Sequence, residues 1–318
     1  MNEMMEKYSG LLQAVAAAAL GVALFYAQAQ ILAVFGLLLL TPYIVLWVSE
    51  NARWAVLSYL LSGLGIFLLF GAAAALTTVP IIAGSSTCAA MLIERKRPMW
   101  ETLLYPSFVG AGLFALVFVL LAWAQGMHLV AEIQQEVTNV VQTLLDQIRY
   151  AEDLTYYAKG MEQVTASALI SRLMQIYPAL LYGASLMMTA VNTLLARRVL
   201  AQMRPELGRA ALADFCLPRK AGYVMAAVTV ALFLAKSAQI PGGEILSMNS
   251  NIMCIAILLL NGIATFLAFL RPSVPPALRG LLVALILIFL DAWYIFVLFG
   301  GADIFLGLRS RTWRGKGV

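Results

Sequence analysis

Charge is what this sequence has least of. Acidic and basic side chains make up 12% of its 318 residues, where a soluble domain carries about 25%. Histidine occurs once, at His128, so no His-based metal site can be assembled. The three cysteines, Cys88, Cys216 and Cys254, make no C-x-x-C pair and no zinc set. They read as small, buried apolar residues. No Walker loop, H-E-x-x-H or G-x-S-x-G string occurs. Gly63-Leu-Gly65 opens like a dinucleotide fingerprint, but it lies inside an apolar run and Leu68 stands where the third glycine belongs. These absences leave no metal site and no catalytic residue to name, and an enzyme is not expected.

What is present is apolar sequence. Hydrophobic residues make up 62% of the chain, with a mean hydropathy of +0.88. They fall into nine blocks, at about 9–27, 30–48, 54–76, 78–93, 102–124, 169–196, 219–237, 250–270 and 279–300. A bilayer core about 30 Å thick needs roughly 20 apolar residues per helix. Barrel strands would alternate apolar and polar residues, whereas stretches such as 31–40 and 281–290 are continuously apolar. Only helices or closed barrels satisfy the backbone in lipid. The expected fold is therefore an all-α, polytopic transmembrane helix bundle of about nine helices, with eight as the alternative.

Three regions follow. Residues 1–124 form an N-terminal five-helix membrane group, 125–168 an insert, and 169–318 the C-terminal membrane helices with a short basic tail. In the insert, Val130, Ile133, Val137, Val140, Leu144 and Ile148 recur at helical spacing, which predicts an amphipathic, extramembrane helix. The insert is acidic, with Glu132, Glu136, Asp146, Glu152, Asp153 and Glu162 against Arg149 and Lys159. At the N-terminus, Lys7, the run 11–26 and Ala27-Gln28-Ala29 resemble a signal peptide. Glu3 and Glu6 neutralise its charged region and the run is long, so a retained first helix is expected.

The net charge of +5 is a topology signal rather than a nucleic-acid footprint, because the basic residues cluster in short loops. Arg95, Lys96 and Arg97 follow the fourth block; Arg197, Arg198, Arg204, Arg209, Arg219 and Lys220 lie between the sixth and seventh. Both clusters are expected in the cytoplasm, with the N-terminus, and the insert outside. The tail disagrees: nine crossings would put Arg309, Arg311, Arg314 and Lys316 outside. Either the tail is translocated or one of the last three blocks does not cross.

A few polar residues lie inside the apolar blocks. Asp291 sits midway through 281–301, where an ionised carboxylate costs on the order of 2.5–3.5 kcal/mol on insertion scales. It reads as a ligand or proton site, or as the partner of another buried polar group. Asn192 and Asn261 read as interhelical hydrogen-bonders or cavity residues. Around the fourth block, Thr77-Thr78-Val79-Pro80 leads into Ala83-Gly84-Ser85-Ser86-Thr87. Proline, glycine and hydroxyl residues suggest a broken helix that lines a cavity, with Ser85, Ser86 and Thr87 as candidates; close packing through small residues is the alternative. In the first block, Ala14 and Ala18 form a small-xxx-small pair that suits a helix or partner face.

Two local patterns carry a resemblance. Phe215-Cys-Leu-Pro218 follows the basic loop, and Gly300-Gly-Ala-Asp303 is followed by Leu308-Arg309. With the layout of five helices, polar insert and further helices, the chain resembles the YybS-like family of uncharacterised bacterial membrane proteins. That family shows an aromatic-x-x-Pro and a closing Gly-x-x-Asp with a later Arg; Gly307 stands here near its frequent second acid. The family is distantly similar to the substrate-binding S components of energy-coupling-factor vitamin transporters. The resemblance implies a membrane-embedded binder of an unidentified small solute in the bacterial inner membrane, docking an energising module or other membrane protein. In S components an Ala-xxx-Ala face meets that partner, and Ala14 and Ala18 match it. S components have about six helices and no large acidic insert. The alternative is a non-transporting scaffold or regulator of envelope or division machinery. No cofactor is identified, and no nucleic-acid partner is expected. An Asp291→Asn variant is expected to insert and accumulate normally but to lose its response to the solute, read by thermal shift; failure to accumulate would mark a structural role.

Overall fold

The computed structural model describes residues 2–124, 126, 131, 134–135, 137–143, 166–207, 211–271, 273–289 and 292–309. Most of the amphipathic insert lies outside them, its longest described stretch before residue 166 being the helical segment 137–143, and Asp291 lies outside them too. The described chain is a polytopic helical bundle. Its helices are α1 (Asn2–Gln30), α2 (Thr41–Ser49), α3 (Ala52–Phe70), α4 (Ala72–Glu94), α5 (Met99–Ala124), α6 (Ala166–Met203), α7 (Arg219–Ser237), α8 (Gly243–Leu270), α9 (Pro276–Phe289) and α10 (Trp293–Leu306). Seven of these are long and apolar enough to cross a membrane: α1, α3, α4, α5, α6, α7 and α8. Their outward faces carry exposed Leu, Val and Phe, as at Leu60, Leu68, Leu120 and Phe233, which suits contact with lipid tails. The buried side chains form two clusters: one around Tyr43 on α1 to α4 and the end of α6, the other around Tyr182 and Phe215 on α5, α6, α8, α10 and the chain between α6 and α7.

The second block is built from pieces. Leu32 is extended, Ala33–Leu38 forms a 3-10 turn, and α2 starts at Thr41 with Pro42 in its first turn, where proline's missing N–H costs nothing. The whole segment still runs antiparallel to α1. Gln28 faces Gly36, Gly21 faces Tyr43, and Gln13 donates to Glu50 at 2.6 Å. Asn51 then caps α3, its side chain accepting from the Arg53 N–H, and α3 runs parallel to α1, with Gly10 against Trp54 and Phe25 against Phe70.

The third and fourth blocks divide earlier than the sequence suggests. Gly71, at φ +87°, separates α3 from α4. The expected break in the fourth block is not a break. α4 is continuous from Ala72 to Glu94 with Pro80 inside it, as membrane helices tolerate a proline where neighbouring helices and Ser/Thr side chains support the backbone. Thr77 Oγ1 donates back to the Ala73 and Ala74 carbonyls in the turns before the proline.

The basic loops converge on one end of the bundle. Arg197 donates to the Arg97 carbonyl at 3.3 Å, and Arg204 to the Ser49 carbonyl at 3.3 Å. Glu50, Glu94, Arg95 and Arg204 line one depression there.

The ninth block accounts for the C-terminal discrepancy. It folds as α9 and α10, of 14 residues each, and about 21 Å of helix cannot span about 30 Å of hydrocarbon. α10 packs antiparallel on the last part of α8. Gly262 and Gly300 permit this, since a Cβ on Gly262 would strike the Phe296 carbonyl and one on Gly300 the Leu258 carbonyl. Gly307 then turns the chain at φ +63°, and Arg309 donates to the Ala213 and Phe215 carbonyls at 3.1 and 2.7 Å. Those carbonyls belong to the α6–α7 loop, so residue 309 ends on the basic side. Eight segments therefore run between the two ends, and Arg309 shares the side of the other basic loops. Reporter fusions at the C-terminus and after Glu206 are expected to read the same side of the membrane; opposite readings would mean that the ninth block crosses.

Candidate functional site

Asn192 is wholly buried on α6. Its Oδ1 accepts from the Thr41 N–H and Oγ1, both at 2.7 Å, and its Nδ2 donates to the Leu37 and Met188 carbonyls. Leu37 and Thr41 flank the step from the 3-10 turn to α2. The amide replaces the backbone bonds lost at that step. Asn261 on α8 behaves alike. It accepts from the Leu217 N–H at 3.2 Å and donates to the Gly300 carbonyl at 3.0 Å. A third amide, Asn249, accepts from the Ala179 N–H at 2.9 Å and donates to the Gln175 carbonyl at 2.7 Å. Those two groups would bond each other in an unbroken helix, and Pro178 lies between them.

The two local patterns noted in the sequence meet around Asn261. Asp303 and Arg309 form an ion pair at 2.6 Å, with side chains 2% and 12% exposed. Arg309 Nε and Nη2 donate to Asp303 Oδ2, Nη2 also to Asn261 Oδ1, and Nη1 to the two loop carbonyls. All five guanidinium N–H groups are thereby occupied. The backbone N–H of Arg309 reaches Asp303 Oδ1. Cys216 lies beside the pair, its thiol 4.0 Å from Asp303 Oδ2. Partial burial of the sulfur pushes the thiol above its ordinary range; Arg309 opposes the rise and Asp303 adds to it. The thiol therefore stays protonated and donates. This cluster is a clasp between the tail, α8 and the α6–α7 loop, and it has no spare donor for a ligand.

The space for a ligand lies elsewhere. A cavity of about 330 Å³ opens among α1, the 3-10 turn, α4, α5 and α6, away from the basic end. Its walls are mostly apolar, with Phe25, Ile81, Phe114 and Met188, and a few polar groups from Gln28, Thr77, Thr78 and Ser185. α4, α5 and α6 each carry an internal proline, Pro80, Pro106 and Pro178. The wall residues nearest those prolines are Ile81 on α4, Gly110 on α5 and Leu181 on α6. Proline removes one backbone hydrogen bond from a helix interior, so each of the three helices around this opening lacks one.

The family model described as "Predicted membrane protein (DUF2232)" matches residues 15–304. The chain belongs to DUF2232. No curated protein and no solved structure matches it. In this member of DUF2232, Asn192, Asn261 and Asp303 fall inside the matched stretch and Arg309 just beyond it.

The structure scatters the residues singled out from the sequence. Ser86 and Thr87 are taken up by Tyr59, whose hydroxyl lies 2.7 and 3.3 Å from theirs. The part of α4 that reaches the cavity is Thr77, Thr78, Ile81 and Ile82, one to two turns earlier. Ser85 is wholly buried and its hydroxyl has no partner. Asn192 and Asn261 are spent on backbone groups and do not line the cavity. Ala14 and Ala18 are 0% and 5% exposed. Their face is turned inward because small residues let α1 lie close to its neighbours, so it presents no outward docking surface. Cys88 and Cys254 are partly buried, while Cys216 is exposed as a residue but turns its sulfur toward Asp303.

Asn249, Asp303 and Arg309 were not among the candidates for a site. Asn249 falls one residue before the eighth apolar block, and its signal is Pro178 on a different helix. In this chain the Asp303–Arg309 pair ties the tail to α8 and to the α6–α7 loop. Arg309→Ala is expected to cost about 3–5 kcal/mol by stranding a buried carboxylate, and Arg309→Lys to recover little, since a compact ammonium cannot span the four acceptors the guanidinium reaches. Thermal unfolding in detergent checks both; wild-type stability in either would count against the clasp.

Proposed function

We propose that this protein is a transport-type, S-component-like binder of a small solute in the bacterial cell membrane. The observation that carries the reading is the cavity walled by Phe25, Thr77, Phe114 and Ser185. Its volume of about 330 Å³ falls within the roughly 300–1,000 Å³ of ligand pockets, and it shares their mix of apolar walls and few polar groups. The elements around it come from the first six membrane segments, the number S components have. The YybS-like layout of the sequence supports the same reading. With the basic end in the cytoplasm by the positive-inside rule, the N-terminus is cytoplasmic and the cavity lies in the outer half. Solute then enters from outside. An energising module would have to meet a face other than Ala14 and Ala18. The protein has no reaction of its own in this reading, because the buried Asp303–Arg309 pair is spent on structure.

The test is a thermal-shift screen of the purified protein across vitamins, nucleobases and metals. A ligand at 100 times its dissociation constant adds about 2.7 kcal/mol of stability, which is readily seen. Ala184, exposed at the cavity wall, is the control: Ala184→Trp is expected to fold normally and abolish the shift. A flat response across the screen would sink the proposal.

A further inference from the structure

The polar groups that line the cavity are of two kinds. Ser185 and Thr77 have used their protons on the backbone: Ser185 Oγ donates to the Ser107 carbonyl at 2.8 Å, and Thr77 Oγ1 to the Ala73 and Ala74 carbonyls at 2.9 and 3.0 Å. They keep only lone pairs for anything else. Gln28 and Thr78 also line the cavity, and their side chains have no hydrogen-bond partner among the described residues. Gln28 is exposed, and the Thr78 hydroxyl is not sealed in the packing, so both are open to a ligand. The Gln28 side chain lies across Gly36, where a Cβ would stand 2.6 Å from its Cδ and Oε1. Thr78 is about 9 Å of helix in from Ala72, the start of α4, so a molecule that reaches it has left bulk water. The unused groups are therefore one amide and one hydroxyl, and each both donates and accepts.

No acidic or basic side chain lines the cavity among the described residues. An ionised group carried in beside Thr78 would shed hydration with no countercharge to replace it, which is costly. An uncharged end group that donates and accepts meets complementary partners instead. Phe25, Phe114 and Met188 supply flat or soft apolar contact for the rest of the molecule. Resting on the reading of the cavity as a solute site, we infer that its ligand is an uncharged molecule with an apolar ring body and one hydrogen-bonding end group, such as a primary amide or a hydroxyl. The end group bonds Thr78 and Gln28, with Thr77 as a further acceptor, and the ring lies against the aromatic walls. Thr78 and Gln28 are the specificity-determining residues, because they alone among the described wall residues offer a ligand both a donor and an acceptor.

Full-length protein in nanodiscs is titrated by ligand-detected NMR with three probes that share one ring. Indole-3-acetamide is neutral, indole-3-acetate is its anionic isostere, and tryptamine is a cation. Signal that persists in Ala184→Trp, whose cavity is filled, is partition into lipid and is subtracted. Indole-3-acetamide is expected to bind, and each ion at least about tenfold more weakly. Thr78→Val keeps the shape of the side chain and removes the hydroxyl. It is expected to weaken indole-3-acetamide about three- to tenfold for one lost hydrogen bond. Thermal stability should not fall, since no described protein group bonds that hydroxyl. Gln28→Leu is expected to act likewise. A purely structural role would give the reverse, with lower stability and unchanged binding. Wild-type affinity in either variant, an ion binding as tightly as the amide, or no specific binding of indole-3-acetamide would each overturn the inference. A charged hit in the thermal-shift screen that Ala184→Trp abolishes would leave the solute site standing and remove only this ligand class. A flat screen would remove both.

Discussion

A backbone inside hydrocarbon has no water to fall back on, so every freed N–H and C=O needs a partner within the protein. This chain departs from regular helix in several places, and at three of them a buried asparagine amide bonds the backbone. Asn192 closes the step between Leu37 and Thr41, and Asn249 the turn between Gln175 and Ala179 around Pro178. Asn261 ties Leu217 to Gly300. An asparagine suits the task because its amide offers the same donor and acceptor as a peptide group. In lipid such contacts are worth about 0.6 kcal/mol each on average, but a break left unrepaired would strand two buried groups. The amides therefore make the irregular geometry affordable, and that geometry is what distinguishes this bundle from a stack of straight rods.

Two consequences follow. The helices that wall the cavity, α4, α5 and α6, each carry an internal proline, and the Asn249 amide offsets the one on α6. At the other end, the chain after Gly307 folds back. The Asp303–Arg309 pair fastens it to the α6–α7 loop and to Asn261. Taking two charges out of water is costly, and an ion pair with every donor used repays that cost better than a lone pair would. The clasp joins the two stretches, 215–218 and 300–309, that stand out in the sequence.

Much of the architecture was legible in the residues. Continuous apolar runs named a helical membrane bundle, and the lysine and arginine clusters placed the two basic loops on one end. The same charge pattern pointed to a fault in the last three blocks, where Arg309 could not share a side with the other basic loops if all of them crossed. What stayed hidden depends on which helices meet. Ala14 and Ala18 make the same small-residue pair whether they face a partner or the chain's own interior. Ser85, Ser86 and Thr87 look alike in sequence, yet Tyr59 takes two of them and leaves the third unpartnered. Asn249 sits at the edge of its block, and nothing local reveals that it repairs a proline on a helix 70 residues away.

The central claim, that amides replace backbone bonds lost at irregular turns, is tested most directly at Pro178 and Asn249. A double-mutant cycle of Pro178→Ala and Asn249→Ala, read by unfolding in mixed detergent micelles, isolates the coupling. With alanine at 178 the helix can close the turn itself, so losing the amide should cost clearly less than it does beside the proline. Strictly additive effects would contradict the account, because they would mean that Asn249 stabilises the bundle without regard to the break it spans.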